Sequence, residues 1–175
     1  MNVQNRLHPF LWLLFLCPLV LISCALPEKL PVIDQGARTY RDYERAFEAY
    51  ERHNYGTAHK LALKSAAAGS AEAQALVGQM YEQGLGVPRD SEAAAKWYLM
   101  AAAQGQAMAR NNLGVLYAKG HGVRRDEAEA LRWYLLAAEQ NYAIAINNVG
   151  AVHEDGQGVE QNLAEAVAWY RRAAE

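Results

Sequence analysis

The stretch that decides the fold is residues 70–105, SAEAQALVGQMYEQGLGVPRDSEAAAKWYLMAAAQG, because the chain repeats its pattern in residues 106–141 and 142–175. The following residues recur at intervals of 36 positions: Gly78, Gly114 and Gly150; Gly84, Gly120 and Gly156; Gly86, Gly122 and Gly158; Trp97, Trp133 and Trp169; Tyr98, Tyr134 and Tyr170. Such a period, without the residue alternation typical of strands, predicts an all-α array of helix-turn-helix repeats.

Each copy divides into two predicted helices on either side of a glycine-rich turn. In the first copy, one helix runs from near Ala71 to Gly84, and glycine suits the left-handed conformation at a helix C-terminus. Asp90 or Ser91 can cap the second helix through a side-chain oxygen. The three copies are therefore predicted to contribute six helices.

A glycine inside each first helix indicates close helix packing. Gly78 costs up to about 1 kcal/mol there relative to alanine. This cost is tolerated when a facing helix must come very close, and we expect Trp97 and Tyr98 to fill the space beside that contact. Their regular recurrence predicts a core shared between repeats rather than a sugar-binding surface.

A degenerate repeat precedes the three copies, at residues 39–69. Tyr43 to Arg52 is predicted to form one helix and Tyr55 to Ala68 its partner, and terminal repeats are expected to be atypical. Residues 24–38 contain two prolines and a glycine without a helical period, so they are predicted to form a tether.

The N-terminal residues 1–23 have the pattern of a bacterial lipoprotein signal peptide. Arg6 precedes an apolar run that is short for a membrane-spanning helix and fits the core of a secretory signal. The run ends in Leu21-Ile22-Ser23-Cys24, which resembles the lipobox, so Cys24 is the predicted lipidation site. The alternative is an ordinary secretory signal that contains a cysteine.

The repeated positions resemble the Sel1-like repeat, a relative of the tetratricopeptide repeat. The positions that carry the resemblance in the first copy are Ala71, Ala73, Val77, Gly78, Tyr81, Gly84, Gly86, Val87, Asp90, Ala94, Trp97, Tyr98, Ala101, Ala102 and Gly105. The third copy departs at His153, where the others have tyrosine, and at Asn162, where they have aspartate. The resemblance covers about residues 40–175.

The resemblance implies a right-handed α/α solenoid whose first helices line a concave face, and a role as an adaptor for protein or peptide partners. A cysteine-rich branch of the family has been associated with β-lactam binding or hydrolysis. The only cysteines here are Cys17 and Cys24, so the repeats lack that branch's disulfides.

The sequence offers no catalytic residues, and we predict that the protein is not an enzyme. It contains no common hydrolase or nucleotide-binding motif, and its histidines lack the spacing of a metal site. We therefore predict no metal and no cofactor. The net charge of −2 argues against a nucleic-acid partner. The alternatives are a cell-wall or β-lactam-active hydrolase and a secreted factor that acts on host cells.

The predicted partner-binding surface lies on the first helices of copies two and three. The tetratricopeptide pattern places these residues there: Met108, Asn111, Asn112, Val115, Lys119, Ile144, Asn147, Asn148 and Ala151. Paired asparagines can read the backbone of an extended peptide, because a side-chain amide both donates and accepts. In that case Asn111 and Asn147 should be exposed. The alternative is that the asparagines bond between neighbouring helices.

Two further expectations concern the ends of the chain. The apolar edge around Trp169 and Tyr170 is expected to meet a partner or a second copy, since solenoid ends normally need a polar cap. The residue after Cys24 is Ala25 rather than the aspartate typical of inner-membrane retention. We therefore expect a lipid-anchored protein of the cell envelope, on the periplasmic side of the outer membrane.

Overall fold

The computed structural model describes residues 32–174, which form eight α-helices and no β-strand. The helices are α1 (Val32–Glu51), α2 (Tyr55–Ala67), α3 (Ala71–Gln83), α4 (Ser91–Ala103), α5 (Ala107–Lys119), α6 (Glu127–Ala138), α7 (Ala143–Asp155) and α8 (Leu163–Ala174). The prediction of an all-α array of helix-turn-helix repeats is confirmed. The predicted signal peptide, Cys24 and the first part of the tether lie outside the described residues.

The helices pack in chain order, in pairs. The most extensive contacts join the two helices of a repeat, and each second helix also packs against the next first helix. Neighbouring first helices contact each other as well, α1 with α3 and α3 with α5. No comparable contact joins successive second helices within residues 32–174. The first helices α1, α3 and α5 therefore lie closer to one another than the second helices do, and we call the surface that the first helices present the first-helix face.

The helices end at the glycines that the sequence predicted as C-terminal caps, and α4 begins after a predicted N-terminal cap. Gly84, Gly120 and Gly156 adopt the left-handed conformation, with φ of 74°, 70° and 70°, at the C-termini of α3, α5 and α7. The side chain of Asp90 accepts a hydrogen bond from the amide of Ala93 at 3.0 Å, so Asp90 rather than Ser91 caps α4. The residue that ends the first helix and the residue that caps the second helix thus belong to the same copy.

In each of the three copies, the glycine inside the first helix receives the ring of a tyrosine from the second helix of its own repeat. A Cβ added at Gly78, Gly114 or Gly150 would lie 2.7, 2.6 or 2.7 Å from the facing tyrosine ring. Tyr98 and Tyr134 are buried accordingly. Trp97 and Trp133 are only half-buried and pack at the edge of the preceding apolar cluster. The tyrosine forms the centre of each repeat, and the tryptophan extends the contact to the repeat before it.

The predicted tether is wrong over its last residues, because α1 begins at Val32. The buried Ser65 hydroxyl donates to the carbonyl oxygen of Thr39 at 2.8 Å, and Lys64 forms an ion pair with Asp42 at 2.8 Å. These contacts with α2 stabilise the middle of α1, and the helix also includes Gly36 despite the low helix propensity of glycine. Within the described part of the chain, no helix is long and apolar enough to span a membrane.

Candidate partner-binding site

The structure places the nine predicted binding residues on α5 and α7 with unequal exposure. Lys119, Ile144 and Asn147 are exposed, and 55% of the surface of Ile144 is accessible. The half-buried members are Met108, Asn112, Val115, Asn148 and Ala151. Asn111 is only 3% exposed. The expectation that Asn111 and Asn147 are both exposed therefore holds for Asn147 and is wrong for Asn111.

Asn111 is buried because it joins two repeats. The Asn148 amide donates to the Asn111 side-chain oxygen at 2.8 Å, and the Asn111 amide donates to the side-chain oxygen of Asn112 at 3.1 Å. The first of these bonds connects α7 to α5, as the alternative interpretation of the recurring asparagines expected. Removing one partner of a buried hydrogen bond costs about 1–3 kcal/mol. Asn111 is therefore a structural residue of the array.

A cavity of about 610 Å³ opens between α5 and α7, beside this asparagine pair. Its lining residues are Val115, Ala118, Lys119, His121, Arg125, Tyr134, Asn148, Ala151, Val152 and Gln157. Four of the predicted residues thus meet at one cavity: Val115, Lys119, Asn148 and Ala151. The other five do not line it: Met108, Asn111, Asn112, Ile144 and Asn147. We call this space the second-repeat cavity.

Sequence reasoning missed the polar side of the second-repeat cavity. His121 and Arg125 belong to the turn after α5, and Tyr134 belongs to α6, so the tetratricopeptide pattern of first helices did not include them. A signal was present in the comparison of the copies with one another. Glu82 and Glu154 occupy the position that Ala118 holds in the second copy.

The three repeated tyrosines differ in their hydroxyl partners. Tyr98 donates to Glu82 at 2.7 Å, and Tyr170 donates to Glu154 at 2.6 Å. Burial, followed by the charge of Glu82, raises the pKa of Tyr98, whereas the hydrogen bond to Glu154 is the main cause of the raised pKa of Tyr170. The Tyr134 hydroxyl has no partner among the described residues, and burial raises its pKa to about 12.

Four histidines lie in the described part of the chain. His53 and His121 are exposed, and His59 and His153 are half-buried. Over residues 32–174 no three histidine, cysteine, aspartate or glutamate side chains lie close enough together to hold a metal ion.

A Cβ added at Gly86 would lie 2.5 Å from the carbonyl oxygen of Tyr55, at the start of α2. The second glycine of each pair therefore allows consecutive repeats to pack.

The last helix leaves a different apolar surface from the one expected. Tyr170 packs on Gly150 of its own repeat, and Trp169 donates to the Glu165 carboxylate at 3.1 Å. The exposed apolar residues of α8 are Leu163 and Val167, at 59% and 46%. The expectation that the last helix meets a partner remains a prediction. Leu163 and Val167 are the large apolar residues that α8 exposes for such a contact.

Comparison with known protein families finds one repeat model that matches the chain four times. The Sel1 repeat family model matches residues 49–70, 71–106, 107–142 and 143–175. None of the curated proteins compared with the chain matches significantly.

Two crystal structures are similar to the chain over most of its length. A Sel1 repeat protein from Oxalobacter formigenes is 42% identical, with a TM-score of 0.70 over 75% of this chain and 54% of the other. A protective antigen present in uropathogenic Escherichia coli strains, which displays an SLR fold, is 34% identical, with a TM-score of 0.74 over 81% of this chain and 31% of the other. This chain thus spans about half of the first structure and under a third of the second.

Proposed function

Because this chain belongs to the Sel1 repeat family, we propose that it is a lipid-anchored adaptor of the bacterial cell envelope that binds a protein or peptide partner through its first-helix face. Sel1 repeat proteins are typically protein-interaction scaffolds rather than catalysts. Such scaffolds hold a partner on the surface that their stacked repeats present. The envelope location and the anchor are the parts of the proposal that depend on residues 1–25.

The surface of α5 and α7 is the observation that supports partner binding. Ile144 and Asn147 are exposed on α7, and Lys119 is exposed on α5. Beside them, the second-repeat cavity offers apolar walls and polar groups in one concave space. Five of the ten residues that line the cavity carry a charged, imidazole or amide side chain, so this space can orient a polar segment of a partner.

Site-specific photo-crosslinking tests where the partner binds. The full chain carries a photoreactive amino acid at Asn147, or at Leu99 of α4 as a matched control, and is irradiated in cell-envelope extract. Both positions are exposed, but they belong to a first and a second helix. We expect a discrete crosslinked protein from position 147 and none from position 99. Crosslinking from position 99 alone, or from neither position, would contradict the proposal.

The lipid anchor is tested by Cys24→Ser. The lipobox residues Leu21-Ile22-Ser23-Cys24 place the thiol directly after the small residue at the cleavage site. Acyl chains contribute about 0.8 kcal/mol per buried methylene, so more than one chain anchors a protein stably. We expect the wild-type chain in the outer-membrane fraction and the variant either unprocessed or released. An unmodified Cys24 thiol in the mature wild-type protein, seen by mass spectrometry, would rule out the anchor.

A further inference from the structure

The second repeat lacks a carboxylate that the repeats on either side supply to their own tyrosine. Glu82 accepts from Tyr98 at 2.7 Å and Glu154 accepts from Tyr170 at 2.6 Å. The corresponding residue is Ala118, whose methyl group cannot accept a hydrogen bond. The Tyr134 side chain is 5% exposed and lines the second-repeat cavity. The Tyr134 hydroxyl therefore lacks the carboxylate that its two counterparts meet.

The second repeat also differs in charge from its two neighbours at the position after Ala118. Lys119 follows Ala118, whereas Gln83 and Asp155 follow the glutamates of the other two repeats. Lys119 forms no ion pair with any described residue, and no acidic side chain lines the cavity. The second repeat has thus exchanged a negative group for an uncompensated positive one.

The turn after α5 adds two further basic groups to the cavity. His121 and Arg125 both line it, and Arg125 also pairs with Glu127 at the start of α6. The third repeat has Gln157 and Gln161 at the corresponding positions, and the first has Leu85 and Arg89. Only the second repeat therefore combines a missing carboxylate with several basic residues.

We infer that the second-repeat cavity binds a glutamate side chain of an acidic segment in the partner, whose carboxylate takes the place that Glu82 and Glu154 hold in the neighbouring repeats. This inference rests on the proposed function, since it specifies what the first-helix face recognises. Tyr134 donates to the carboxylate, and Lys119 neutralises its charge. Hydrogen bonds to a charged acceptor are stronger than neutral ones.

The size and lining of the cavity suit this ligand. Its volume of about 610 Å³ is larger than one carboxylate needs and leaves room for the glutamate methylenes and adjoining backbone. Val115, Ala151 and Val152 provide apolar contact for those methylenes. Asn148 lines the same space, and its side-chain oxygen can accept a hydrogen bond from a peptide amide while its amide group donates to Asn111.

A pair of blocked peptides tests the inference directly. Acetyl-Gly-Ser-Glu-Ser-Gly-amide and its glutamine counterpart are titrated into the full chain, and binding is followed by NMR at the amides of Ala151 and Val152. The glutamine amide can also accept from Tyr134, but it offers no charge to strengthen that bond or to pair with Lys119, so the glutamate peptide should bind about fivefold more tightly. Equal binding of the two peptides, or no binding of either, would overturn the inference.

Substitutions in the chain locate the binding. Ala118→Glu restores the residue of the neighbouring repeats and should abolish binding of the glutamate peptide while the protein stays folded. Lys119→Gln introduces the first repeat's residue and should weaken binding about threefold or more. Lys96→Gln removes the same charge from α4, outside the cavity, and should leave the affinity unchanged. Binding that neither Ala118→Glu nor Lys119→Gln alters would place the peptide elsewhere and overturn the inference.

The inference and the proposed function fail in different ways. A partner that crosslinks from position 147 and binds the wild type and Ala118→Glu equally would leave the adaptor function standing and reject the glutamate site. A chain that crosslinks to no partner from position 147 would reject the adaptor function itself.

Discussion

Replacing Gly122 by alanine should lower the free energy of unfolding by about 3 kcal/mol or more. Gly122 has a φ of 70°, where a side chain is strained. A Cβ at this position would also overlap the carbonyl group of Ser91, at the start of α4 in the preceding repeat. Because the obstacle is backbone, it cannot rotate away. The substitution should push the second and third repeats away from those before them.

Two matched glycine substitutions separate backbone strain from the loss of repeat packing. Gly105 has a φ of 94°, but an added Cβ would meet only the Arg110 guanidinium, at 3.8 Å, so Gly105→Ala should show strain alone. Gly56 has open space around it in α2, and Gly56→Ala should be neutral or slightly stabilising. Urea unfolding measures all three. If Gly122→Ala were no more destabilising than Gly105→Ala, close packing at this turn would not stabilise the array.

The period and the turns could be predicted from the sequence because they depend on local chemistry. Gly84 and Asp90 are favoured at a helix C-terminus and N-terminus whatever the tertiary structure, and both occupy those places. The recurrence of Gly78 indicated a close helix contact. It did not reveal that the tyrosine ring of Tyr98, rather than the indole of Trp97, would lie against that glycine.

Other features could not be predicted from the sequence, because they depend on which helices and repeats contact each other. Asn111 has the same side chain whether it faces a groove or a neighbouring helix, and its burial results from the bond to Asn148 in the next repeat. Helix α1 begins at Val32, whereas the local pattern of prolines and glycine around it predicted a tether. The second-repeat cavity appears only when Tyr134 of α6 is set beside α5 and α7.

The second large expected effect is on partner binding. Ile144→Glu should weaken the affinity for the crosslinked partner about tenfold or more, which corresponds to about 1.4 kcal/mol. The Ile144 side chain offers apolar contact on the first-helix face, and a carboxylate there would repel an acidic segment as well. Because Ile144 is 55% exposed, the substitution should leave stability within about 0.5 kcal/mol.

Leu99→Glu is the matched control for this substitution. Leu99 is 48% exposed and lies on α4, a second helix, so the same gain of charge occurs away from the first-helix face. We expect this variant to bind the partner within about twofold of the wild type. Thermal unfolding of both variants verifies that any change in affinity does not arise from unfolding.

Calorimetric titration of the crosslinked partner into the wild-type chain, Ile144→Glu and Leu99→Glu tests the central claim that the first-helix face binds the partner. We expect an affinity about tenfold weaker or more for Ile144→Glu and nearly unchanged for Leu99→Glu. A loss of affinity in Leu99→Glu with wild-type binding by Ile144→Glu would place the partner on the second helices and rule out binding by the first-helix face.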